Sequence, residues 1–347
     1  MATHPTLKIT DWPAPMQRAW EQAVAKGDLL EESGFAAHWS PQTQRKVRQT
    51  IGRFLAWCQG EGTVLEDSLL QDLLTKDTAR AFHAQLEREV APVTAAQYIV
   101  DLAEAGRVMA PGHDWGWLQR AGLSLLARAT PTSNKLARLV PPEDLVQCGL
   151  TIMEEASPVT GVRKAGRYRT GLMIALLACR PKRRGEFTSI SLTEVTQSDG
   201  RYELYIPEEN TKTRKESAFL VPDVLTEAFG FYLNEVRPLL LGDRSSDALW
   251  ITWLGDDLTS DGFAVQVCKE TRKHFGHSIS PHLFRDCYVT DIVLQHPDLI
   301  AGASTALGHR DGRTTQTYYD QAGSASAHKA QAQAIEAIRK TVSKKRR

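Results

Sequence analysis

The chain decides its own reading between Ser280 and Tyr319, where the residues run SPHLFRDCYVTDIVLQHPDLIAGASTALGHRDGRTTQTYY. Three features stand in order: His282-Leu283-Phe284-Arg285, then Leu307-Gly308-His309, then Tyr318 nine residues after His309. A histidine and an arginine three apart on a helix share one face. Together they can grip one anionic group, the arginine as a planar fork of donors and the histidine as donor or base. The run Thr314-Thr315-Gln316-Thr317-Tyr318 then offers a hydroxyl to the same point.

Working outward from this stretch, the ordered His-x-x-Arg, Leu-Gly-His and Thr-Thr-x-x-Tyr series resembles the C-terminal signature of the tyrosine recombinase (phage integrase) family. Each piece alone is common; the combination in this order and spacing is specific. The bland alternative makes His282 a capped core histidine and Tyr318 a packing aromatic. The resemblance implies one further arginine and one lysine upstream. Arg-x-x-Glu after a buried apolar helix is the family setting of the arginine, which points to Arg183 with Glu186, although Arg180 and Arg184 flank it and stay open as alternatives. The lysine belongs on a β-hairpin turn, where Lys212 sits within Thr211-Lys212-Thr213, with Lys215 as the alternative.

At 347 residues the chain is long enough for two domains with separate cores. Its net charge of +1 hides an uneven distribution. Arg163, Lys164, Arg167, Arg169, Arg180, Lys182, Arg183 and Arg184 have no acid among them, and Lys344 to Arg347 form a second basic cluster. Acids concentrate between Glu61 and Glu89 and between Glu203 and Asp261. Local basic patches on a nearly neutral chain suit contact with phosphate on one face. Five scattered cysteines, odd in number and mostly in apolar runs, read as free thiols in a reducing compartment. The most apolar run, Gly171 to Cys179, is too short to span a membrane, and no N-terminal stretch reads as a signal peptide. The expectation is a soluble cytoplasmic protein with no membrane partner.

Residues 1 to about 15 are rich in Pro and Thr and read as a loose arm. Met16 to Lys26 suits a short helix. Ser40-Pro41 is a helix start, a capping hydroxyl before a proline at the first helical position. The helix it opens carries Val47, Ile51, Phe54, Leu55 and Cys58 on one face and Arg45, Lys46, Arg48 and Arg53 on the other. Beside the C-terminal signature, that basic face reads as DNA backbone contact, as do Arg180 and Arg184. Further helices are expected over Asp67–Leu74, Thr78–Glu89, Thr94–Ala110 and Trp115–Ala129. The polar, proline-closed stretch Thr130 to Pro142 is the linker candidate, with the boundary near Arg138. Leu145 to Glu155 restarts a helical pattern, and Arg169 to Arg180 reads as a buried helix. Tyr202, Leu204 and Ile206 then alternate with polar neighbours as a strand; Ser217 to Val221 is a second strand, and Glu208 to Glu216 the turn between them.

The expected fold is mainly α: residues 1–138 as a helical N-terminal domain, 139–325 as an α-rich domain with a small antiparallel sheet, and 326–347 as a C-terminal helix and basic tail. The resemblance implies that the first is a core-binding, DNA-binding domain and the second catalytic. It also implies the chemistry. Arg183 and Arg285 would clamp the non-bridging oxygens of a phosphodiester, and His309 would add a donor. His282 would help the Tyr318 phenol to attack, and Lys212 would protonate the departing 5′ oxygen. No metal, nucleotide or other cofactor is expected. Cys268, His274, His277, His282 and Cys287 lack the paired spacing of a closed zinc site. Neither Gly-x-Ser-x-Gly nor a Walker A sequence is present. The partners implied are double-stranded DNA with paired half-sites and three further copies of the chain in a tetramer. A type IB topoisomerase and a binding-only DNA-site regulator are the rival readings.

Overall fold

The structure, a computed structural model, describes residues 5–28, 30–130 and 135–295, apart from the side chains of residue 136 and residues 293–295. His309, Tyr318 and the C-terminal segment 326–347 lie outside the described residues. The chain divides into two compact units, 1–134 and 135–347. The division falls four residues before the boundary expected at Arg138. The Arg138 guanidinium donates to the Ser278 carbonyl, and Lys135 lies 4.0 Å from Asp286, so both belong to the second unit.

The first unit is helical: α1 (Ala14–Val24), α2 (Pro41–Gly60), α3 (Leu70–Leu73), α4 (Lys76–Glu89), α5 (Pro92–Met109) and α6 (Gly116–Arg128). Helix α2 starts as its sequence demands, Ser40 Oγ accepting from the Thr43 N–H at 3.2 Å and Pro41 occupying the first turn. Val47, Ile51, Phe54, Leu55 and Cys58 are all buried. Phe54 packs edge-on against Phe82 of α4, with ring centroids 5.3 Å apart. Two expectations need correction. The helix expected over Asp67–Leu74 is a single turn, α3. The arm is no loose segment from residue 5 onward: Trp12 is buried, and the Leu7 N–H donates to the Gly52 carbonyl at 3.0 Å. The Trp12 indole packs edge-on against Trp20 of α1, and the Leu7 bond ties the segment to α2.

The second unit comprises α7 (Pro142–Ala156), α8 (Val162–Cys179), α9 (Arg184–Thr188), α10 (Asp223–Phe231), α11 (Arg237–Leu241), α12 (Ser260–Phe275) and α13 (Pro281–Gln295). A π-helical turn, Tyr232–Val236, joins α10 to α11. Strands β1 (Val195–Ser198), β2 (Arg201–Ile206) and β3 (Ser217–Leu220) form an antiparallel meander in the order β1-β2-β3. Leu204 pairs with Val195 on one side and Phe219 on the other. Tyr202, Leu204 and Ile206 alternate inward as the sequence requires.

Helix α8 is the axis of this unit. Leu172, Ile174, Leu176 and Leu177 are fully buried, as expected for a helix apolar nearly all round. Arg169 is buried with them, so it leaves the basic surface that the sequence assigned it to. Its guanidinium donates to the Ile251 carbonyl and to Gln266 Oε1, and burial lowers its pKa to about 10. Helices α7 and α8 cross where Gly149 meets Gly171: a Cβ on Gly149 would lie 2.5 Å from the Gly171 carbonyl oxygen. At the far end Phe187 of α9 stacks between Trp250 and Phe263, at 5.3 and 5.5 Å, and its carbonyl accepts from the Trp250 indole N–H at 3.0 Å. That stack seats the α8–α9 corner in the core. The five cysteines are free thiols, and burial raises the pKa of each, to about 12 for Cys58 and Cys148 and about 11 for Cys287. No described helix is long and apolar enough to cross a membrane.

The glycine crossing yields a stability test. Overpacking a tight contact costs about 1–3 kcal/mol. Gly149→Ala should lower the urea midpoint of unfolding accordingly, whereas Gly200→Ala, with open space around it but a positive φ, should act only through backbone strain.

Candidate active site

Pro181 cannot continue α8, and its missing N–H with the Lys182-Arg183 extension turns the chain through a corner before α9 begins. Arg183 is the residue before the first helical position of α9. Glu186, three residues on, reaches back: its Oε2 accepts from the Arg183 N–H at 3.3 Å and its Oε1 from the Arg183 guanidinium at 2.8 Å. Glu186 is 7% exposed, and Phe187 beside it is locked in the aromatic stack. The carboxylate therefore fixes both the backbone and the side chain of Arg183. The same Oε1 accepts from the Lys212 backbone N–H at 3.3 Å. That bond ties the β2–β3 turn to the corner, while the Lys212 side chain stays exposed. In the same turn Thr211 Oγ1 accepts from the Lys215 N–H at 3.0 Å, and Arg214 takes a positive φ of 54°.

Helix α13 supplies the other half. Arg285, 5% exposed, donates to the Pro181 carbonyl at 2.7 Å and so lands two residues from Arg183. His282 lies one turn earlier. Its surface is open, yet the ring is crowded enough that desolvation is the largest influence on its pKa and lowers it. Asp286 pulls the other way, and Lys135, Arg285 and Arg183 lower it further. Arg183, His282, Arg285 and the Lys212 turn are thus brought together; His309 and Tyr318 fall outside the described residues.

The flanking arginines separate. Arg180 folds onto the Cys179 carbonyl at 3.0 Å, and Arg184 pairs with Asp261 at 2.7 Å on the surface. In the first unit, Arg45, Lys46 and Arg48 are exposed on α2, Lys46 pairing with Asp101 at 2.7 Å. Arg53 is a correction. It is 7% exposed, pairs with Glu89 at 2.6 Å, donates to the Tyr98 hydroxyl at 3.0 Å and lies over the Tyr98 ring. Its charge is spent inside the unit and does not face a ligand. Sequence reasoning also passed over Lys135 and Lys182, which sit in a linker and a basic run where nothing in the spacing distinguishes them.

Residues 150–324, half of the chain, match the model of the phage integrase family. The chain belongs to that family. Curated relatives are tyrosine recombinases XerD: the protein of Pseudomonas aeruginosa is 34% identical over 156 residues, covering 44% of this chain and 49% of its own. That of Ralstonia nicotianae is 35% identical over 88 residues, covering 25% and 28%, and that of Staphylococcus epidermidis 27% over 157, covering 45% and 51%. The chain thus spans about half, or less, of the length of these relatives. Among solved structures, the XerH site-specific recombinase bound to difH substrate aligns with a TM-score of 0.54 at 17% identity, over 80% of this chain and 76% of that one. A post-cleavage complex of XerH aligns at 0.50 and 13%, over 95% and 97%. At such identities the likeness is one of fold, and it is mainly α with a small antiparallel sheet, as the sequence led us to expect.

The electrostatics of His282 can be read directly. In a two-dimensional NMR titration its ring should protonate below the ordinary imidazole value. Arg285→Met, which removes a cation, should move that midpoint up, and Asp286→Asn should move it down. A depressed pKa in the folded state means the unfolded chain binds this proton first as pH falls. The His282 contribution to stability therefore falls as pH drops through the unfolded value toward the folded one.

Proposed function

We propose that the protein is a site-specific tyrosine recombinase that cuts and rejoins double-stranded DNA through a 3′-phosphotyrosine. The observation that carries the reading is the convergence of Arg183, His282, Arg285 and the Lys212 turn on one corner. They do so in a chain whose sequence runs on to Leu307-Gly308-His309 and Tyr318. A phosphodiester resists attack because it is anionic, and its pentavalent transition state concentrates charge on the non-bridging oxygens. The planar guanidinium forks of Arg183 and Arg285 answer that charge, with His309 as a further donor. The Tyr318 phenol, with an ordinary pKa of about 10, gives its proton to His282 as its oxygen bonds to phosphorus. The bond to the 5′ oxygen breaks, and Lys212 protonates that oxygen as it leaves. The phosphotyrosine keeps the energy of the broken bond for rejoining.

In this reading the second unit is the catalytic domain, and the first is a core-binding domain that contacts the DNA backbone through Arg45, Lys46 and Arg48. Arg180 and Arg184 add phosphate contacts. The substrate is DNA with paired half-sites, the working assembly a tetramer, and the setting the cytoplasm, where DNA and reduced thiols coexist. Supercoiled plasmid with and without paired sites is the decisive substrate. Recombinant products only with paired sites support the reading; relaxation without paired sites favours a topoisomerase, and binding without any covalent product favours a regulator.

Two sets of variants test the residue roles. Tyr318→Phe should bind DNA as wild type does yet leave no covalent adduct on a nicked substrate; adduct at wild-type level sinks the assignment of the nucleophile. Arg183→Ala and Arg285→Ala should slow cleavage at saturating protein by about 10²–10³-fold, the usual cost of a lost transition-state donor. Arg184→Ala and Arg180→Ala should instead weaken binding and flatten its salt dependence.

A further inference from the structure

The corner that presents Arg183 also holds a lysine that the proposed chemistry does not use. Lys182 Nζ donates to Ser217 Oγ at 2.8 Å and lies 5.3 Å above the Phe219 ring. Both partners belong to β3, the strand that follows the Lys212 turn. Burying an ammonium is costly unless it is paired and hydrogen-bonded. Here a hydroxyl and an aromatic face receive it, and Glu186 lies close enough to favour its charge while Arg285 and Arg180 oppose it. Neighbouring residues of the same short segment have other partners. Pro181 receives Arg285, and Glu186 receives the Lys212 N–H. The turn is therefore tied to the corner at two places, through Glu186 just at Lys212 and through Lys182 where β3 begins. Without the second tie, the four residues between Lys212 and Ser217 are still held within the hairpin by the Ile206–Ser217 pairing and the Thr211–Lys215 and Tyr205–Glu216 bonds. The hairpin then loses its hold on the corner at Ser217 and keeps the Glu186–Lys212 bond at 3.3 Å.

We propose that Lys182 is a positioning residue that pins the start of β3 to the Arg183 corner and thereby sets where the Lys212 ammonium stands. The inference rests on the recombinase reading above. In the cleavage step the Tyr318 oxygen forms the bond to phosphorus, the 5′-bridging bond breaks, and the leaving oxygen takes its proton from Lys212. A misplaced Lys212 slows that proton transfer and leaves the arginine contacts to the phosphate in place.

A sulfur in place of the bridging 5′ oxygen separates these effects, because a thiolate leaves without needing a proton. Adduct formation on matched nicked substrates, one with oxygen and one with sulfur at that position, would be followed for the full chain. Lys182→Met should be slowed roughly 10–100-fold on the oxygen substrate, a partial loss of the about 10²–10⁴-fold that a general acid typically contributes, and return to within a few-fold of wild type on the sulfur substrate. Lys212→Ala should behave alike, and Arg183→Ala should stay slow on both. Ser217→Ala removes the contact from the other side and should show a smaller loss with the same sulfur rescue, even where Lys182→Met folds poorly. Lys182→Arg, which keeps a donor, should recover part of the oxygen rate. If Lys182→Met and Ser217→Ala both match wild type on oxygen, or both stay slow on sulfur, the positioning role is wrong. A wild-type chain that forms no adduct on either substrate overturns the recombinase reading itself.

Discussion

The buried carboxylate of Glu186 is the interaction on which the candidate site depends. A carboxylate at 7% exposure is tolerated only when its oxygens are well satisfied. Here the partners are the Arg183 guanidinium, the Arg183 N–H and the Lys212 N–H. One side chain thus sets the angle of a cation, closes the first turn of α9 and fastens a hairpin from another part of the chain. Phe187 makes this rigid by anchoring the same turn between Trp250 and Phe263. The cost of burying the charge is offset locally, and three elements are organised by it.

Around that anchor cations gather. Arg180, Lys182, Arg183 and Arg285 come from one corner and one helix start, and Glu186 and Asp286 lie among them. Crowded cations repel one another and gain by facing an anion. The start of α13 adds to this, since a helix N-terminus carries partial positive charge and His282 and Arg285 lie within its first turns. The imidazole pKa of His282 is lowered first by burial and further by Lys135, Arg285 and Arg183, against the pull of Asp286.

Much of this was legible in the sequence, for reasons that differ by element. Helix α8 announced itself because its apolar residues run all round, and β2 because its burial alternates residue by residue. Arg183 was singled out by the glutamate three places on, a spacing that works through the first-turn geometry of a helix. Strand β1 escaped notice because Val195-Thr196-Gln197-Ser198 is an edge strand with mostly exposed side chains and no alternation to read. Arg53 and Arg169 were misread for one shared reason. In α2 the buried face is wider than the apolar stripe, so Thr50 and Arg53 go inside with it; in α8 no outward face remains at Arg169. A long cation that enters a core and meets carbonyls, an amide or a carboxylate leaves the same letters as one on the surface. The second tie of the hairpin was invisible too, since Lys182 and Ser217 are thirty-five positions apart.

The five thiols carry a practical corollary. Cys58, Cys148 and Cys287 are buried, Cys179 and Cys268 are half-buried, and burial raises the pKa of each, which disfavours the nucleophilic thiolate. The native cysteines are therefore chemically quiet toward alkylating reagents while the fold is intact. A single cysteine placed on the exposed face of α2 or on the β2–β3 turn would be the fast-reacting site in an otherwise unaltered background. Fluorophores could then be attached to either unit without first stripping the chain of its own sulfur.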